Sequence, residues 1–173
     1  MNNKKFSEFF ESIKDKLGIR KTSFTKIFQY LDNIKGPINI VETGCLRIKD
    51  NFKGDGQSTL LFDKYTQFRG EKSKVYTVDI NPKATEVCRS VVSDNVEIHT
   101  GDSVKYLIEL LPKLKKEEQK ISLFYLDSFD VDWQSSDRSA AHHLKEIAAI
   151  INYISEETLI AVSYTHLRAH ETS

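Results

Sequence analysis

Hydrophobic positions along this 173-residue chain change their period near residue 37. Before that point they recur at helical spacing. Phe6, Phe9, Phe10, Ile13 and Leu17 form one stripe, and Phe24, Ile27, Phe28, Leu31 and Ile34 form a second, with lysines and glutamates between them. Gly18 closes the first predicted helix and the Gly36-Pro37 pair stops the next. Beyond residue 37, short apolar runs alternate with helical stripes. The runs predict strands over residues 38–41, 75–79, 96–99 and 121–127, with a fifth strand beginning at Leu159. The stripes predict helices over residues 57–68, 82–93, 103–114 and 139–155. In the last helix, Ala140, Leu144, Ile147, Ile151 and Ile154 are expected to face inward.

Alternation of this kind predicts an α/β protein with a mostly parallel sheet covered by helices on both faces. Crossovers in such a sheet are right-handed, so the expected form is a doubly wound, Rossmann-like domain. Three segments are expected: an N-terminal helical segment over 1–36, the Rossmann-like domain over 37–161, and a tail over 162–173. The tail, from Val162 to Thr172, resembles the translation of a sequencing-adapter sequence and is expected to be non-native. On that expectation the domain is incomplete and its strands after the fifth are missing.

Charge and cysteine content narrow the function classes. Lys and Arg total 25, Asp and Glu total 25, and the formal net charge is zero. No basic excess points to a nucleic-acid backbone as partner. Nothing approaches the roughly 18 consecutive apolar residues of a membrane span. Cys45 and Cys88 have neither disulfide-framework nor zinc-site spacing, so both are expected to be small packing residues in a reducing, cytoplasmic setting. Oligomeric state is left open.

Candidate chemistry collects at the predicted strand ends. In an open α/β sheet, ligands bind beyond the carboxyl ends of the strands, where strand order reverses. Here the first strand ends in Glu42-Thr43-Gly44 and the second in Asp79-Ile80. Gly101-Asp102-Ser103 follows the third, and the fourth ends in Asp127. Gly44 lets backbone approach a ligand closely. The turn from Gly54 through Gly56 to Ser58 opens a helix whose amides favour an anionic group. Asp79 is placed to accept hydrogen bonds from two ribose hydroxyls. Asp102 is either a helix N-cap or a partner for an adenine amine. Asp127 leaves an apolar strand and needs a partner there. With Asp130 and Asp132 it puts three acids in six residues, a set that reads either as an acidic loop or as oxygen ligands for a divalent cation. His143, near the same rim, is a candidate proton acceptor for a nucleophilic hydroxyl, or else a structural histidine. Phe129 and Trp133 are candidates for an aromatic wall.

The order Val-Glu-Thr-Gly, Val-Asp-Ile, Gly-Asp-Ser and Tyr-Leu-Asp-Ser resembles the four motifs of class I S-adenosylmethionine-dependent methyltransferases. The variant is most similar to small-molecule O-methyltransferases, several of which use a divalent metal. The resemblance implies S-adenosylmethionine as cofactor and methyl transfer to a small-molecule acceptor, with a hydroxyl as one candidate. It implies cofactor contacts at Glu42, Gly44, Gly56, Ser58, Asp79, Ile80, Asp102 and Ser103, and catalytic roles for Asp127 and His143. The chain departs from the motif after Gly44, where Cys45 and an insertion separate it from Gly54 and Gly56. A non-catalytic nucleotide- or partner-binding module on the same fold is the alternative. A nicotinamide-binding enzyme is disfavoured because no Gly-x-Gly-x-x-Gly string occurs.

Overall fold

The apolar runs pair side by side as five parallel strands: β1 (Asn39–Thr43), β2 (Lys74–Asp79), β3 (Val96–Thr100), β4 (Leu123–Leu126) and β5 (Leu159–Val162). A computed structural model describes residues 3–54, 57–70, 72–129 and 136–163. The order across the sheet is β3-β2-β1-β4-β5, so the chain reverses its direction of travel between β1 and β4. β1 and β4 are buried along their whole length, which is why they read as continuous apolar runs rather than alternating ones.

Side chains still alternate between the two faces. Ile40, Val75, Leu123 and Tyr125 face one core; Val41, Tyr76, Val78, Phe124 and Leu126 face the other. The first core is roofed by α1 (Asn3–Ile13), α2 (Lys21–Asp32) and α3 (Ser58–Arg69). A 3₁₀ segment, Lys14–Arg20, joins α1 to α2, and Gly18 takes a left-handed φ of 58° inside it. The N-terminal phenylalanines are core residues on a sheet face. Phe6 meets Phe28 and Tyr65 edge-on, with ring centroids 4.6 and 4.9 Å away. Burial of each such ring contributes roughly 1.5–3 kcal/mol.

The opposite face carries α5 (Ser103–Lys116) and α6 (Ser136–Ile150), through Leu107, Leu111 and Ile150. α4 (Pro82–Val91) packs on β2 and β3, and its Ala84 and Cys88 share a small cluster with Cys45 and Leu46. Asn81 caps it: its side chain accepts a hydrogen bond from the Lys83 amide, with Pro82 in the first turn.

The face of α6 corrects the sequence expectation. Ser139, His143, Glu146 and Ile150 point inward, while Leu144 is 66% exposed and Ile151 60% exposed. Ala140 is also exposed, and Ile147 is only partly buried. The stripe was misassigned because three of the four inward positions are polar. Among the described residues, no helix is long and apolar enough to cross a membrane.

Candidate functional site

Glu42 is the penultimate residue of β1, and its carboxyl group is completely buried. The hydroxyls of Thr59 on α3 and Thr77 on β2 both donate to Oε2, each at 2.7 Å. Oε1 makes no hydrogen bond among the described residues, although the Ser58 hydroxyl lies close enough to favour the charged form. Burial dominates these three hydroxyls, and the nearby Asp127 charge works in the same direction as burial. The pKa is pushed up to about 7. Glu42 is therefore a carboxyl group poised between its neutral and charged forms near neutral pH.

One residue after β1, the chain turns sharply at Gly44, whose φ is +82°. A Cβ here would stand 2.2 Å from the Asp127 carbonyl oxygen, so only glycine fits. From sequence, Gly44 is expected to let a ligand approach closely; in the structure the Cβ direction meets the backbone that follows β4. The Gly44 amide donates to the Val78 carbonyl, and the Asp127 amide donates to the Thr43 carbonyl, both at 2.8 Å. These bonds stitch the ends of β2, β1 and β4 together where the strand order reverses. Asp79 completes the join. Its Oδ2 accepts the Cys45 amide at 3.2 Å and its Oδ1 accepts the Asn81 amide at 2.8 Å. Each oxygen keeps a second lone pair for another donor.

A cavity of about 350 Å³ opens above this join, with Gly44, Cys45, Arg47, Ser58, Asp79, Ile80, Asn81, Asp127, Ser128 and Phe129 on its wall. Of the residues expected from sequence, Gly44, Ser58, Asp79, Ile80 and Asp127 meet here. Glu42 lies behind Ser58. Asp102 caps α5, its Oδ1 accepting the Lys105 amide at 2.9 Å, and Asp102 and Ser103 are off the wall of this cavity. Phe129 is also on the wall. Gly56, Asp130, Asp132 and Trp133 lie outside the described residues. Arg47 escaped the sequence argument, since it sits in an aperiodic loop with no pattern to single it out. A larger cavity, about 500 Å³, lies at the amino ends of the strands beside Lys35, Lys74 and Lys120. It has no strand-end carboxylate and no sheet reversal to focus chemistry, so size alone does not make it the favoured site.

His143 is not on the cavity wall. The residue is 2% exposed and its Nδ1 lies 2.9 Å from Glu146 Oε2. Glu146, completely buried, also accepts the Ser128 hydroxyl at 2.7 Å. His142 Nε2 stands 2.8 Å from the Ser103 hydroxyl and 3.5 Å from Glu146 Oε1. Burial alone would raise the Glu146 pKa. Hydrogen bonds from His143, Ser103 and Ser128, with the charge His143 can carry, outweigh it and hold the carboxyl below its ordinary value. The group is not a hydrolytic Ser-His-Glu triad, because one ring nitrogen of His142 faces both the serine and the glutamate. Sequence reasoning missed Glu146; its signal was the polar series 139, 143, 146 at helical spacing.

Among the described residues, no group of three or more His, Cys, Asp or Glu side chains is arranged to hold a metal ion. Sheet, crossovers and cavity define a Rossmann-like α/β protein with a ligand-sized cavity at its topological switch point. No protein-family model matches the chain, and no curated protein sequence matches it.

Proposed function

We propose that the switch-point cavity binds S-adenosylmethionine and that the protein transfers its methyl group to a small-molecule acceptor, a hydroxyl compound being the preferred class. The observation that carries this reading is the pair of acids at adjacent strand ends. Asp79 is on the cavity wall with lone pairs to spare, and buried Glu42 behind the wall has an unsatisfied oxygen. A nucleoside with an amino-acid arm matches that pair: vicinal hydroxyls for Asp79, and a positive ammonium whose field favours the charged form of Glu42. Arg47, on the same wall, suits the carboxylate of that arm. Ile80, 72% exposed, offers an apolar surface to a base.

When bound, the cofactor supplies a methyl group made electrophilic by its positive sulfur. The protein's share is mainly to hold that methyl in line with the acceptor. Asp127, on the cavity wall, is the group to accept the proton that the acceptor hydroxyl gives up. His143 is directed to Glu146 and needs no part in that transfer. Its burial is also what favours the second reading, a nucleoside-binding module without catalysis.

Titration calorimetry with S-adenosylmethionine and S-adenosylhomocysteine tests the proposal. Micromolar binding that falls at least about tenfold in Asp79→Ala is expected. Absence of binding by both compounds would refute it. Binding without methyl transfer to any of a panel of hydroxyl acceptors would favour the second reading.

A further inference from the structure

Glu146 joins two turns that the sheet keeps apart. Ser103 begins α5 just after β3, and Ser128 follows β4, while the order β3-β2-β1-β4 puts two strands between them. Strand pairing fixes neither residue. The last ladder-like bonds at these ends are from the Gly101 amide to Asp79 and from the Asp127 amide to Thr43. Beyond them, one buried carboxylate takes over. It holds Ser128 directly at 2.7 Å, and it reaches Ser103 through His142, whose Nε2 lies 2.8 Å from that hydroxyl and 3.5 Å from Glu146 Oε1. His143 braces the other oxygen at 2.9 Å. The His142 ring also stands against Phe129, centroids 5.5 Å apart. Among the described residues, the hydrogen-bonded partner of Glu146 outside α6 is Ser128, at the carboxyl-end rim.

We propose that Glu146 is a positioning residue that fixes the loop after β4, with Asp127, Ser128 and Phe129, against the start of α5, and so sets the width of the ligand cavity. The role for ligand binding rests on the adenosyl reading of that cavity. Stability alone is a poor reason for such a residue. Desolvating an ion costs several kcal/mol, and a well-packed apolar side chain often serves the fold as well. What the ionised carboxylate adds is direction: short bonds to fixed hydroxyls that hold a cavity wall to within a fraction of an ångström.

The test compares the full chain with Ser128→Ala and Glu146→Gln. Backbone order parameters are measured by NMR without ligand, melting temperature is recorded, and affinity is measured with S-adenosylhomocysteine as probe. In both variants the order parameters of Ser128 and Phe129 should fall from about 0.85 toward about 0.6, while Leu110 and Leu111 in α5 stay rigid. Probe affinity should weaken about tenfold in Glu146→Gln and less in Ser128→Ala. Ser128→Ala removes a single hydroxyl, so it decides the matter if Glu146→Gln does not fold. Unchanged order at Ser128 and Phe129, or a loss of order shared equally by Leu110 and Leu111, overturns the proposal. A wild-type chain that does not bind the probe overturns the adenosyl reading alone; the order parameters then still decide whether Glu146 holds the loop.

Discussion

Glu42 and Glu146 are the same residue type with the same complete burial, yet they hold their protons oppositely. Glu42 receives two threonine hydroxyls on one oxygen and leaves the other without a hydrogen bond, and its pKa rises to about 7. Glu146 receives the Ser128 hydroxyl and faces His143, a histidine that can carry charge, and its pKa falls. Burial sets the penalty in both cases; the placement of the donors, and whether one of them can carry charge, decides whether it is met. The contrast separates two jobs at one rim. Glu146 is a finished internal joint. Glu42 has acceptor capacity left over, and a cationic ligand is what would use it.

The largest effect is expected where the two regions are sewn together. Gly44→Ala puts a Cβ against the Asp127 carbonyl at a left-handed φ, and should cost more than about 3 kcal/mol or prevent folding, as urea denaturation would report. Next comes the pH dependence, which should have opposite signs at the two acids. Raised from 4.5 to about 7, Glu42 binds more protons in the folded state than in the unfolded state across that window. Its contribution is fully present below pH 4.5 and is lost as pH rises to about 7, on the order of 3 kcal/mol in all. Glu42→Gln should flatten that part of the stability curve. Glu146, with its lowered pKa, stabilises the fold above its ordinary value of 4.5 and loses that contribution as pH falls below it. A wild-type curve that keeps its 4.5–7 slope in Glu42→Gln would break the comparison.

At pH 7 the amide substitutions sharpen it further. Glu146→Gln should cost about 2 kcal/mol because buried donors lose a charged acceptor, whereas Glu42→Gln should cost less than about 1 kcal/mol. Equal costs in denaturant melts would show that a donor able to carry charge is not what distinguishes them. The smallest effect is expected at Leu144, outside both regions. Leu144→Glu should change stability by less than about 0.5 kcal/mol, because the side chain is 66% exposed.

That last case marks where sequence pattern stopped being a guide. The strands were legible because parallel strands buried on both faces leave unbroken apolar runs, as at residues 123–126. The acids at strand ends were legible because strand geometry alone places them at one rim. α6 was not. A helix that turns Ser139, His143 and Glu146 inward hides its buried face from any hydrophobic stripe, and exposed Leu144 and Ile151 supplied a false one. Asp102 was legible as a cap because the motif is local, and the cap is present. Gly44 stood out as a glycine, but its reason, the carbonyl of Asp127 just after β4, depends on tertiary contact. Arg47 belongs to a loop without period, where only the folded chain shows which side chains reach the cavity.

The most direct test of a cofactor site at the carboxyl end is to map the ligand. Amide chemical shifts of the isotopically labelled chain would be followed during titration with S-adenosylhomocysteine. Changes concentrated at Gly44, Cys45, Asp79, Ile80 and Ser128 are predicted, with Asn39, Lys74 and Ser122 at the larger cavity unmoved. Changes confined to the amino-end cavity, or no changes at saturating ligand, would contradict the account.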